Sequence, residues 1–412
     1  MKQNLQVIIF LLHITVISVA QNNNLDYYLG KALNNSPLLK DYQNQVQSNL
    51  LDSQKIVAGY RPQVTGNTIN VYAPVIGGYG YDNAISNGGN FSTLVSANKT
   101  FVGKKNLANQ FEAINLQNQA IKNTSKISEQ ELKRTIIAQY ITAYGDMLQL
   151  NFYKEISDLL RREEVILKDL TQRNVYRQTD YLTFLVTLQQ HALQYRQLEI
   201  QFKNDYATLN YLSGITDTTT ILLDDPHIFI VQLPDIANSL FFKKYEIDSL
   251  KLSNNRATVG FTYKPKASVF ADGGYSSTLA YTPYKNFGTS FGFGVTVPIY
   301  DGHQKKLQYS KIDIEERTRN YYKTFFVNQY RQQIAQLTQQ LKDTEDLIGQ
   351  INGQIKYSES LITVNEKLLQ TGDAKIADYI IALSNYLNAK NLLTQNNITR
   401  LQIINQINYW DR

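Results

Sequence analysis

Residues 290–300 read Ser-Phe-Gly-Phe-Gly-Val-Thr-Val-Pro-Ile-Tyr, and the alternation is clean. Phe291, Phe293, Val295, Val297 and Ile299 fall on one side of an extended chain, and Ser290, Gly292, Gly294, Thr296 and Pro298 on the other. A period of two marks a strand whose faces meet different surroundings. Here one face is apolar and the other small or polar over about ten residues, the length a tilted strand needs to cross a bilayer. Nearby, Ala267, Val269, Ala271 and Tyr275 oppose Ser268, Asp272 and Ser276, with Phe270 out of pattern.

The first half of the chain repeats this more weakly, with Ile69, Val71, Ala73 and Val75 and then Phe91, Thr93, Val95 and Ala97 as its apolar sets. Tyr72, Tyr79, Tyr81, Tyr263, Tyr281, Tyr284 and Tyr300 stand near strand ends, where an interfacial aromatic belt belongs. Four strands cannot close a barrel, and open edges cannot face lipid, so a membrane sheet of this size must pool strands with further copies of itself. A soluble sandwich is the ordinary alternative for alternating strands. The elements between the hairpins argue against it, because they are very long helices.

Those helices belong to a duplication. Asn174 to Leu182 aligns with Gly372 to Ile380 at an offset of 198 residues, which sets Asp180-Tyr181 on Asp378-Tyr379 and Tyr211 on Tyr409. Pro62 and Pro265 each open a stretch rich in Gly, Ser and Tyr. Halves this long exceed a solenoid unit. The resulting plan has a first repeat at 21–214 (strands 62–102, helical hairpin 104–213) and a linker at 215–234 with room for one short strand. The second repeat is 235–412 (strands 263–300, helical hairpin 304–410). Each half runs helix, two strands, very long helix, tight turn, medium helix, and Gly214 is a natural stop. The break at Asn35-Ser36-Pro37 interrupts the first helix.

A helix of about 66 residues would be on the order of 100 Å long, which calls for a coiled coil or a helical tube. Ile334, Leu341, Ile348, Ile355, Ile362 and Leu369 recur at strict sevens, with Leu337, Thr344, Ile351, Ser358 and Asn365 at the second core position. Such a repeat imposes side-by-side helix packing, and its polar members suit a wall that faces water. On the long helix of the first half, Ile136, Ile137, Tyr140, Ile141, Tyr144 and Leu148 mark the packed side. Taken alone, the heptads favour a long two-stranded coiled coil with structural duty only, because coiled coils are common.

At the N-terminus a single Lys2 precedes an apolar run from Leu5 to Val19, and Ser18-Val19-Ala20 then Gln21 fits a cleavage site. Residues 1–20 therefore read as a secretory signal peptide, with the mature chain starting at Gln21. The chain has no cysteine, which rules out disulfides, a lipid-bearing cysteine and thiolate chemistry. The net charge of +6 is small and dispersed, without basic blocks interleaved with aromatics, so nucleic acid is not an expected partner. His13, His191, His227 and His303 are scattered without ligand spacing. Phe291-Gly292-Phe293-Gly294 alternates as a strand and opens no helix, so it is not a phosphate loop. No constellation supports catalysis, and neither cofactor nor metal is expected.

Signal peptide, duplicated halves, two hairpins and paired long helices together resemble the TolC outer-membrane efflux family. Tyr60-Arg61-Pro62, Tyr263-Lys264-Pro265 and Val297 to Gly302 agree in wording. The resemblance implies a mostly α chain with membrane β, assembled as a trimeric α/β barrel: twelve shared strands in the outer membrane and a helical tunnel through the periplasm. It implies a passive export duct, not an enzyme, serving a tripartite efflux pump or type I secretion system. The implied partners are two further copies, outer-membrane lipid, a periplasmic membrane-fusion adaptor, and an inner-membrane transporter of RND, ABC or MFS type. Phe291, Phe293, Val295 and Val297 would face lipid. Asn174, Val175, Gly372 and Asp373 would form the tips that meet the adaptor, and Asp378, Lys375 and Asp180 the periplasmic gate. The family's second acidic ring falls on Ile381 and is missing. A gate tyrosine and arginine fall on Leu369 and Ala374, with Lys375 next door as the available substitute. An exported structural or adhesive coiled-coil protein is the alternative, and a periplasmic adaptor, lacking the duplicated strand-helix unit, is a third.

Overall fold

The computed structural model describes residues 24–80, 88–217, 219–230, 232, 235–236, 239–279 and 282–410. The segment read as a signal peptide, Tyr81 and Tyr281 lie outside them. The elements run α1 (Leu25–Asn35), α2 (Pro37–Gly59), β1 (Gln63–Tyr72), β2 (Gly89–Phe101), α3 (Lys104–Gln172) and α4 (Gln178–Ser213). They continue with α5 (Leu240–Thr262), β3 (Lys266–Ser277), β4 (Phe287–Thr296), α6 (Gln304–Thr371) and α7 (Ile376–Trp410), and a short 3₁₀ turn at Pro283–Lys285 precedes β4. Helices α2, α3 and α4 thus recur as α5, α6 and α7, and each hairpin of strands has its counterpart. The chain forms two compact units, one of Met1–Asn35, Leu132–Ile230 and Gln340–Gln406 and another of Ser36–Glu131, Val231–Gln339 and Ile407–Arg412.

Local chemistry sets the boundaries. Ser36 caps α2 by accepting from the Leu39 N–H at 3.4 Å, with Pro37 in the first helical position where its missing N–H costs nothing. Ser239 caps α5 in the same way through the Phe241 N–H. Gly214 stops α4 at φ 67°, and Asn35 donates to the freed Ser213 and Gly214 carbonyls at 3.2 and 3.1 Å. In the linker, Leu223 is buried and the Asp224 carbonyl accepts from the Tyr140 hydroxyl at 2.8 Å. The strand for which the linker had room is not formed among its described residues, because these backbone and side-chain contacts pin it against α3 instead.

In the unit containing Leu132–Ile230, one core gathers Tyr28, Ile136, Tyr140, Ala143, Phe202, Tyr206 and Leu209. A second gathers Leu160, Leu167, Phe184, Leu369, Ile376, Tyr379 and Leu383. The heptad seam of α6 within this unit is its packed face: Ile351, Ile355, Ser358, Ile362 and Leu369 are buried, and Leu341, Thr344, Ile348 and Asn365 are half-buried. Leu148 departs from the expected stripe on α3 and is exposed, as the helix turns Met147 inward in its place.

In the other unit, four antiparallel strands form one sheet in the order β1-β2-β3-β4, so the β2–β3 ladder joins the two repeats and β1 and β4 are its edges. Residues opposite one another across a ladder share a face. Phe293 opposes Val269, Phe291 opposes Ala271 and Val295 opposes Ala267. Val269, Ala271 and Ala267 oppose Lys99, Ala97 and Phe101 in turn. The expectation for the first hairpin is corrected here. Ile69 opposes Ser92 and Val71 opposes Asn90, whereas Phe91 and Val95 oppose Asn70 and Gly66. The two apolar sets of that hairpin therefore lie on opposite faces, and β1 brings Val64, Gly66, Thr68 and Tyr72 to the Phe293 side. A one-residue choice of register decides this, and alternation within each strand does not report it. Among the described residues, no helix is long and apolar enough to cross a membrane.

Candidate functional site

The two helical-hairpin tips share one backbone design. At the end of α3 the Val175 N–H reaches the Leu170 carbonyl at 2.9 Å and the Asn174 N–H reaches Thr171 at 3.0 Å. At the end of α6 the Asp373 N–H reaches Leu368 at 2.9 Å and the Gly372 N–H reaches Leu369 at 3.2 Å. Both are Schellman caps, which need a left-handed residue. Asn174 (φ 61°) and Gly372 (φ 82°) supply it. Asparagine fills the role because its short polar side chain tolerates that region.

The tips also touch. A Cβ on Gly372 would come within 2.8 Å of Val175 Cγ1. The Tyr176 hydroxyl reaches both the Leu369 carbonyl (3.0 Å) and the Ala374 carbonyl (2.9 Å). Sequence reasoning placed the family's gate tyrosine and arginine at Leu369 and Ala374. Those residues hold the tie through their backbones, and the phenol comes from the opposite tip. The one signal for Tyr176 in the sequence was an aromatic residue stranded in a polar turn.

Around this tie the polar residues turn outward. Asp378 and Lys375 are exposed, and Asp378 lies in the first turn of α7, as Asp180 does in α4. A carboxylate there suits the positive end of a helix whether or not it serves a pore. Asp373 accepts from the Thr371 hydroxyl at 2.7 Å, within its own tip.

Two buried carboxyls escaped the sequence reading. Glu163 sits among the core residues of α3, and burial first, then the nearby Glu366, push its pKa up to about 7, with Arg162 pulling it back. The signal was a glutamate in line with Leu160 and Leu167 on an otherwise apolar stripe. Asp146 is raised as well, by burial and then by Asp205, and Gln201 donates to it while Gln139 donates to Asp205.

On the sheet, Phe291 and Phe293 are 89% and 82% exposed and share their side with Val295. Val297 lies just past the end of β4 and is exposed too. The opposite face carries Ser268, Asp272 and Ser290, the last donating to the Asp272 carboxylate at 2.9 Å. Phe270 sits on this polar face, its ring so close over Gly292 that a Cβ there would come within 2.6 Å. A face that is apolar along β3 and β4, an opposite face carrying Ser268, Asp272 and Ser290, and two edges without a strand partner among the described residues belong to a chain with duplicated long hairpins.

Solved structures share this arrangement over nearly their whole length. CusC, known from structures of its transmembrane channel formation, superposes with a TM-score of 0.75 at 13% identity over 94% of this chain and 92% of that one. The chain has the TolC-like channel fold. The outer membrane protein VceC of Vibrio cholerae (TM-score 0.73, 12% identity) covers 94% of this chain and 96% of its own. The Campylobacter jejuni CmeC outer membrane channel (TM-score 0.70, 13% identity) covers 95% and 87%. No family model matches the sequence. No curated protein matches it either. The resemblance seen in the sequence thus extends to the tertiary structure, at identities too low to carry side-chain roles across.

Proposed function

We propose that the chain is an outer-membrane channel subunit, a passive export duct of a tripartite efflux pump or type I secretion system. The observation that carries this reading is the sheet: four strands, one exposed face that is apolar along β3 and β4, and two edges unpaired among the described residues, attached to duplicated helical hairpins. Lipid can cover the face but offers no hydrogen bonds to the edges. Pairing β1 of one copy with β4 of the next satisfies both, and three copies give a closed twelve-stranded barrel. Phe291, Phe293, Val295 and Val297 then meet lipid, while Ser268, Asp272 and Ser290 line the lumen. The lumen is not uniformly polar, because Ile69, Val71, Leu94 and Phe270 share that face.

At the other end Asn174, Val175, Gly372 and Asp373 are the surface offered to a periplasmic adaptor, and Asp378, Lys375 and Asp180 surround the mouth. An inner-membrane transporter supplies the energy and chooses the cargo, so the duct needs no catalytic residue. The reading is tested on the mature chain purified in detergent, by native mass measurement and by conductance in planar bilayers. A trimer that forms discrete pores is expected. A stable, fully structured monomer without conductance would overturn it.

A further inference from the structure

Beneath the tips a carboxyl stands on a face built for apolar side chains. Glu163 of α3 is 2% exposed, between the fully buried Leu160 and Leu167, and its Oε2 is buried with no hydrogen-bond partner among the described residues. The hydroxyl of Tyr379 on α7, a residue with no exposed surface, is equally buried and unpartnered. Glu366 of α6 acts on both groups, and Arg162, the neighbour of Glu163 on α3, is the cation that acts on both. Helix α4 contributes Phe184 to the same cluster, and its Tyr181 is engaged with Glu164 at 2.9 Å. Four helices that end or begin at the two tips thus pack around one buried carboxyl whose Oε2 has no hydrogen-bond partner among the described residues.

We propose that Glu163 is a proton-operated latch: neutral, it lets α3, α6 and α7 pack closed below the tips, and ionised, it drives them apart and frees the tips. The physical reason is that burial among leucines disfavours the charged form of a carboxyl, and here the repulsion of Glu366 adds to that cost more than the pull of Arg162 offsets it. The closed packing therefore holds a proton that an opened, solvated arrangement releases. Opening becomes more favourable as pH rises through 7. From pH 5.5 to 8 the open fraction should rise on the order of tenfold.

This deepens the gate assignment and rests on it only for what the movement opens, because the movement can be followed without any channel. The intact trimer is exposed to trypsin across pH 5.5–8, nicking at Arg173, Arg177 and Lys375 is scored, and rates are normalised to an unfolded peptide in the same buffer. The parent's nicking should rise about tenfold. Glu163→Gln should stay at the low, acid-side rate throughout. Glu366→Gln, which removes the like charge, should shift the rise to lower pH. A parent with no pH dependence, or a Glu163→Gln variant that rises like the parent, overturns the latch. Bilayer conductance is recorded in parallel: pH-dependent nicking without pores leaves the latch standing and removes the channel, and pores with pH-independent nicking do the reverse.

Discussion

At the residue scale the tips separate two functions that a single acidic turn could have been asked to serve. Tyr176 is a structural tie: its hydroxyl reaches across to the Leu369 and Ala374 carbonyls of the other tip. Tyr176→Phe removes that bond at a cost of about 1 kcal/mol, and tip nicking by trypsin should increase several-fold while ion selectivity stays unchanged. Asp378 is exposed. Three copies around a threefold axis would repel one another and attract cations. Asp378→Asn should therefore weaken cation selectivity and divalent block in bilayer recordings without altering tip nicking. An unchanged reversal potential would place that carboxylate away from the pore, as an ordinary helix-start residue. Ile381, 58% exposed where a second acidic ring would sit, leaves the effect to this one position.

At the element scale the sheet's two faces make opposite demands. Phe293 projects from the apolar face of an edge strand, and an arginine there costs roughly 2–4 kcal/mol if it lies near the bilayer midplane. Gly294 belongs to the opposite face, where a Cβ would meet Ser268 Oγ at 3.4 Å, an ordinary contact. Phe293→Arg should therefore lower the yield of SDS-resistant trimer in the outer-membrane fraction, whereas Gly294→Arg should assemble and narrow the pore. Equal assembly of the two would refute the assignment of faces. That assignment was legible in β3 and β4, where alternation within each strand agrees with the pairing between them. It was misread in β1, because an apolar set chosen within one strand says nothing about which residue of the next strand it opposes.

At the scale of the whole molecule, buried carboxyls make stability depend on pH. The folded pKa of Glu163 is raised to about 7 from 4.5, so the folded state holds a proton that the unfolded chain releases. Its contribution is intact below about pH 4.5, is lost as pH rises toward 7, and changes no further above it. Glu163→Gln should gain roughly 2 kcal/mol over the parent between pH 5 and pH 8, measurable as a widening gap in thermal melting of the trimer. The sequence by itself determined the large features: duplication at 198 residues, helix ends, the α6 seam and the alternation of β4. These rest on period, capping and propensity, which act between residues near in sequence. Only the tertiary structure decided the face of β1, the reach of Tyr176 to the other tip and the burial of Glu163 beside Glu366 and Tyr379. Each depends on which distant segment packs opposite, a contact set by the shape and register of elements as much as two hundred residues apart.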